Sequence, residues 1–222
     1  MKMKKVLTLL IFLVLAWGVG TAGFAEEDLL ITDFEKHPNC LGGQVGVYGA
    51  GNPNWSNTVE PYSWYYTPEV KDYKKENVVS GKQSFRLVNG NSPDSDVGWA
   101  SFGLDLGPIL DASVVPIKVE PVDVSGYKYL VFWAKGEKGG EKLIINFRDA
   151  NSINYMPKFQ YKVEKPLTTK WQKIIVPLGD VYNVDFKGLV HTGLAFGVDA
   201  DNEMGTIIYV DDFAFSNNRA LQ

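Results

Sequence analysis

Cysteine is nearly absent: Cys40 is the only one in 222 residues. No intrachain disulfide can form, and the default reading of a lone thiol is a small buried side chain. Histidine is almost as scarce, with His37 and His191 alone, and no HExxH, nucleophile elbow or phosphate-cradling glycine loop occurs. Helical periodicity is also missing, since no stretch sustains a 3.6-residue apolar repeat beyond a turn or two. After the first 25 residues, no segment is apolar enough to cross a bilayer as a helix.

Those first residues, MKMKKVLTLLIFLVLAWGVGTAGFA, carry Lys2, Lys4 and Lys5, then an apolar run, then a small-x-small site at Gly23–Ala25. That layout predicts a secretory signal peptide over 1–25 and a secreted domain over 26–222. Its loss removes three lysines and leaves 19 basic against 26 acidic residues. Such an acidic domain is a poor partner for nucleic acid, where phosphate neutralisation dominates binding. About 200 residues suffice for one substantial core.

What is present is a succession of short strand-like runs. DLLITDFE, KQSFRLVN, VGWASFGLDL, YKYLVFWAKG, EKLIINFRDA, WQKIIVPLG, TGLAFGVD and GTIIYVDDFAF are rich in β-branched and aromatic residues. Turn chemistry separates them in SGK, NGNSPDSD, GEKGGE and DADNEMG. Residues 108–124, with three prolines, read as an irregular crossover. The pattern predicts an all-β fold, a single antiparallel β-sandwich of the jelly-roll kind. Residues 42–78, rich in Gly, Asn, Pro and aromatics, read as a long ordered aromatic loop on the rim.

Two acidic clusters stand out. Asp211 and Asp212 interrupt an otherwise apolar strand, and on a regular strand they face opposite sides. Asp33 and Glu35, two apart in TDFE, share one face. If the first and last strands are neighbours, three carboxylates converge, and a cation would relieve their repulsion. Calcium suits such oxygen ligands best. Exposed edge charges that discourage aggregation are the competing explanation.

LLITDFE, NCLGGQVGVY, NVVSGKQSFRL, YKYLVFWAKG, WQKIIVPL and IYVDDFAF together resemble the galactose-binding-like jelly-roll carbohydrate-binding modules, family 11 and CIA30-type domains above all. The resemblance spans most of residues 29–216. It implies a structural calcium held by Glu35 with Asp33, by the backbone carbonyl near Lys82, and by Asp211 with Asp212 as second choice. It also implies binding of a poly- or oligosaccharide on a concave sheet or the rim loops.

The residues suggest where. Sugar C–H faces lie on aromatic rings, and sugar hydroxyls need planar polar partners. In EKLIINFRDA, Leu143, Ile145 and Phe147 alternate inward, leaving Asn146 and Arg148 on the other face. Trp99, Tyr155, Trp64 and Tyr65 complete the candidate sugar-binding set. Trp133 and Trp171 are assigned to the core or its edge. No catalytic residue is assigned, although Asp105, Asp149, Asp199 and Asp201 could in principle supply the two carboxylates of a glycosidase. The competing functions are a self-associating or envelope-binding adhesive jelly roll and a small polysaccharide-active enzyme.

Overall fold

The computed structural model describes residues 28–35, 38–49, 71–72, 75–82, 84–89, 100–113, 118–152 and 156–218, with the backbone alone at 47–49, 71–72, 88, 100 and 198. The described residues form an all-β sandwich with no α-helix. Its strands are β1 (Leu29–Thr32), β2 (Val45–Gly49), β3 (Lys71–Asp72), β4 (Ser84–Val88), β5 (Ala100–Asp105), β6 (Ile109–Asp111) and β7 (Lys118–Val119). Then come β8 (Tyr129–Gly136), β9 (Ile144–Asp149), β10 (Phe159–Lys162), β11 (Gln172–Pro177), β12 (Leu189–Ala195) and β13 (Ile207–Ser216).

One sheet runs β11-β8-β13-β4-β3, with β1 also on β13; the other runs β10-β9-β12-β5-β2. All pairings are antiparallel. β13 is the organising strand: its first half pairs with β4, its second half with β1, and β8 lies along its other side. The first and last strands are therefore neighbours, as the convergence of carboxylates requires.

Period-2 alternation fills the space between the sheets. Leu130 and Phe132 on β8, Ile145 and Phe147 on β9, Phe102 and Leu104 on β5 and Phe213 and Phe215 on β13 are all fully buried. Phe132 stacks on Phe213 at 4.3 Å and 3°, Phe34, Phe85 and Phe102 pack on one another at 5.1–5.9 Å, and Phe102 and Phe34 reach Phe213 at 5.6 and 6.2 Å. Offset and tilted aromatic packing of this kind adds to burial itself.

Two readings of the sequence are corrected. The stretch 42–78 is not one loop: its ends are strands, β2 on β5 and β3 on β4, followed by a 3-10 turn at Lys75–Asn77. Residues 50–70 lie outside the described residues. The crossover at 108–124 contains a small ribbon in which β6 pairs with β7. Trp133 and Trp171 lie half-buried on the outer face of the six-stranded sheet, each with a lysine ammonium (Lys173 and Lys135) 5.4 and 5.6 Å from its ring centroid.

Candidate functional site

The outward face of the five-stranded sheet is laid out in cross-strand rows. Asn146 is half-buried while its neighbours Ile145 and Phe147 are fully buried, so it points away from the core. In register with it lie Gln160 on β10, Gly193 on β12, Gly103 on β5 and Gly46 on β2. Three glycines in successive strands leave that row without side chains, and two amides stand at its end. The Gln160 side chain donates to Asn146 Oδ1 at 3.1 Å, which fixes both amides.

The glycine at 193 has a structural reason. A Cβ there would sit 2.2 Å from the Phe102 carbonyl oxygen, because β12 and β5 approach closely. No larger residue fits without moving a strand.

The next row is charged. Arg148, His191 and Asp105 are paired across β9, β12 and β5. Asp105 Oδ1 lies 3.0 Å from His191 Nδ1 and 3.5 Å from Arg148 Nη2. Arg148 and Asp105 are buried, and the imidazole is largely covered. Burial pulls the His191 pKa below the ordinary imidazole value, and the nearby Arg148 charge adds to this, against the bond to Asp105. Arg148 is thus held by Asp105 and forms the wall of the row, while Asn146 and Gln160 present hydroxyl-binding groups beside it. His191 was missed from the sequence because the run TGLAF starts one residue after it; the strand extends back to Leu189.

Of the other sugar-binding candidates, Trp64, Tyr65, Trp99 and Tyr155 lie outside the described residues.

The second cluster lies on the outer face of the other sheet. Register between β13 and β8 slips between Asp211 and Ala214, and Asp212 has φ 49. This bulge corrects the expectation that the two aspartates face opposite ways: both reach the loop at 79–80. Asp211, fully buried, accepts the Val79 N–H at 2.9 Å and the Ser80 N–H at 3.4 Å, while Asp212 Oδ1 accepts the Ser80 hydroxyl at 2.7 Å.

On the β1 side, Phe34 has φ 59 and buries its ring in the core. It thereby holds Asp33 and Glu35 at the surface on either side. Glu35 Oε1 accepts the Lys82 N–H at 2.6 Å, so Lys82 enters this cluster through its amide.

Burial pushes the Asp211 carboxyl up to about 7 despite the Val79 N–H, and the charge on Asp212 adds to this. Burial likewise raises Asp212, with the charges of Asp33 and Glu35 pushing the same way against the Ser80 hydroxyl. Asp33, Glu35 and Asp212 therefore share one electrostatic neighbourhood. Among the described residues, no group of three or more His, Cys, Asp or Glu side chains is arranged to hold a metal ion.

The family model described as carbohydrate binding domain 30 matches residues 48–217. The chain belongs to this family. Solved structures agree on the fold. The family 30 module of the cellulosomal cellulase Cel9D-Cel44B of Clostridium thermocellum is 18% identical, over 87% of this chain and 99% of that one, with a TM-score of 0.51. Another family 30 module is 18% identical over 89% and 91% of the two chains, at 0.55. The family 11 module of Clostridium thermocellum, in complex with a β-1,3-1,4-mixed-linked tetrasaccharide, is 12% identical over 85% and 95%, at 0.53. Among curated proteins none matches the chain. The resemblance read from the sequence thus reached the right group of jelly rolls, with family 30 as the matching member and family 11 among its structural neighbours.

Proposed function

We propose that this family 30 domain is a secreted, non-catalytic module that binds a linear β-glucan chain across the outward face of its five-stranded sheet. The observation that carries the proposal is the row Gly46–Gly103–Gly193 ending at Asn146 and Gln160. A floor without side chains admits an extended chain close to the backbone, and fixed amides at its end match sugar hydroxyls. The β-glucan class rests on the tetrasaccharide bound by the family 11 neighbour. Trp64, Tyr65, Trp99 and Tyr155 are the aromatic platforms proposed for the apolar faces of the sugar.

The non-catalytic reading is supported by how three of the four candidate carboxylates, all but Asp199, are engaged. Asp105 is tied to His191 and Arg148, and Asp149 accepts from Lys158, Asn151 and Asp185. Asp201 faces Lys142 and Lys162.

A structural calcium completes the reading. Asp33, Glu35 and Asp212 are the proposed ligands: their charges already act on one another, a divalent cation would relieve that repulsion, and the three carboxylates would have to draw together around it. Asp211 then acts from behind, since its oxygens already accept the Val79, Ser80 and Asp212 N–H groups.

The test is native affinity electrophoresis of the purified protein through gels containing β-glucan, xylan, mannan or pectin, with and without chelator. Retardation by β-glucan, weakened in Asn146→Ala with an unchanged melting temperature, is the expected result. A folded protein that migrates freely in every gel overturns the reading and favours the adhesive alternative, which predicts concentration-dependent assembly.

A further inference from the structure

A second cross-strand row runs beside the glycines. In it Lys162 pairs with Ile144, Ile144 with Ala195, and Ala195 with Ser101. Lys162 is two residues from Gln160, and Ile144 is two from Asn146, so all four side chains share one face of the sheet. Burial follows the same alternation. Lys162 and Gln160 are exposed and Ile144 and Asn146 half-buried, while Tyr161 packs against the core and Ile145 is fully buried. Between Cα positions the four span about 5 Å by about 7 Å, close to the footprint of one pyranose unit. Two corners are amides, one is apolar and one is an ammonium. A sugar ring presents the matching mixture of C–H surface and hydroxyls.

The ammonium is held from one side. Asp201 Oδ2 lies 3.5 Å from Lys162 Nζ and 3.4 Å from Lys142 Nζ. Asp201 has φ 59, and the residue after it, Asn202, is buried. The Asn202 side chain donates to the Lys142 and Phe196 carbonyl oxygens at 2.8 and 2.9 Å and accepts the Lys142 N–H at 2.8 Å. The loop that carries the carboxylate is thereby pinned to the chain just before β9 and just after β12. The Lys162 side chain nevertheless stays 66% exposed, which leaves ammonium hydrogens for a ligand.

We propose that Gln160, Asn146, Ile144 and Lys162 form a single-sugar subsite at the β10 edge, in which the Lys162 ammonium donates to a glycan hydroxyl and Asp201 is its positioning residue. The inference rests on the β-glucan reading above and deepens it, adding the neighbouring row to the contact surface. Ile144 lies under the C–H face of the ring, the two amides take hydroxyls along one edge, and Lys162 takes one at the other.

The experiment is isothermal titration of the purified protein with mixed-linkage β-glucan, for wild type, Lys162→Met, Asp201→Asn and the double variant, with melting temperatures alongside. Lys173→Met, on the outer face of the other sheet, is the control. Lys162→Met keeps most of the apolar stem and loses the ammonium. It should weaken binding roughly three- to tenfold at an unchanged melting temperature, and Lys173→Met should bind like wild type. Asp201→Asn should cost less than Lys162→Met and add nothing in the double variant. Wild-type affinity in Lys162→Met overturns the inference while the β-glucan reading stands. A loss that comes with a lowered melting temperature also overturns it, as does an equal loss in Lys173→Met, which marks a general charge effect. Losses that multiply in the double variant remove the positioning role of Asp201. A wild type that does not bind removes the reading and the inference together.

Discussion

His191 Nδ1 lies 3.0 Å from Asp105 Oδ1 across adjacent strands, and this bond holds a largely buried imidazole beside Arg148. Burial lowers the His191 pKa below its ordinary 6.5, so the folded state favours the neutral ring. The unfolded chain takes up a proton first as the pH falls, and stability present above the unfolded value is lost on the way down to the folded one. Chemical denaturation from about pH 7.5 to about pH 5.5 should show a steeper loss in wild type than in His191→Gln. Parallel profiles would remove His191 from the account.

Asp149 gives a second pH signature, lower on the scale. Its burial raises the pKa, but bonds from the Asp185 N–H, Lys158 and the Asn151 N–H more than offset this and leave it below 3.8. The stabilisation is complete above the unfolded value and disappears as the pH falls through the folded one. At neutral pH, Asp149→Ala strands those donors and should cost about 1–3 kcal/mol, read from urea midpoints. A variant as stable as wild type would show that the ties carry no net free energy.

Gly193→Ala tests the close approach of two strands. The added Cβ would meet the Phe102 carbonyl oxygen at 2.2 Å, and backbone cannot step aside as a side-chain tip can. We expect a loss of about 1–3 kcal/mol and a lower melting temperature. An unchanged melt would mean that β12 and β5 separate more easily than their packing implies.

For the calcium, thermal melts in excess chelator should fall below those with calcium present. A ligand at one hundred times its Kd adds about 2.7 kcal/mol. Asp212→Asn should erase most of the difference between the two conditions. Identical wild-type melts in both would exclude a stabilising cation.

Much of this architecture was legible in the chain. Alternation in EKLIINFRDA put Phe147 inside and Asn146 outside, and the structure agrees. The closeness of TDFE and YVDDF followed from pairing the first strand with the last. Three things were hidden. The bulge at Asp212 depends on a positive φ at a non-glycine residue, which no spacing rule announces. Arg148, read as a sugar-facing group, is drawn down by Asp105, a partner 43 positions away along the chain. The glycine row is invisible because Gly46, Gly103 and Gly193 meet only through strand register.

The placement of β13 also fixes when the six-stranded sheet can close. Residues 207–216 supply partners for β1, β4 and β8, all made earlier. Until that segment is available, each of these three strands has one edge without its partner, open to wrong pairings. A chain stopped before residue 207 would leave its six-stranded layer without a middle, so premature termination anywhere upstream should yield insoluble product rather than a smaller working module.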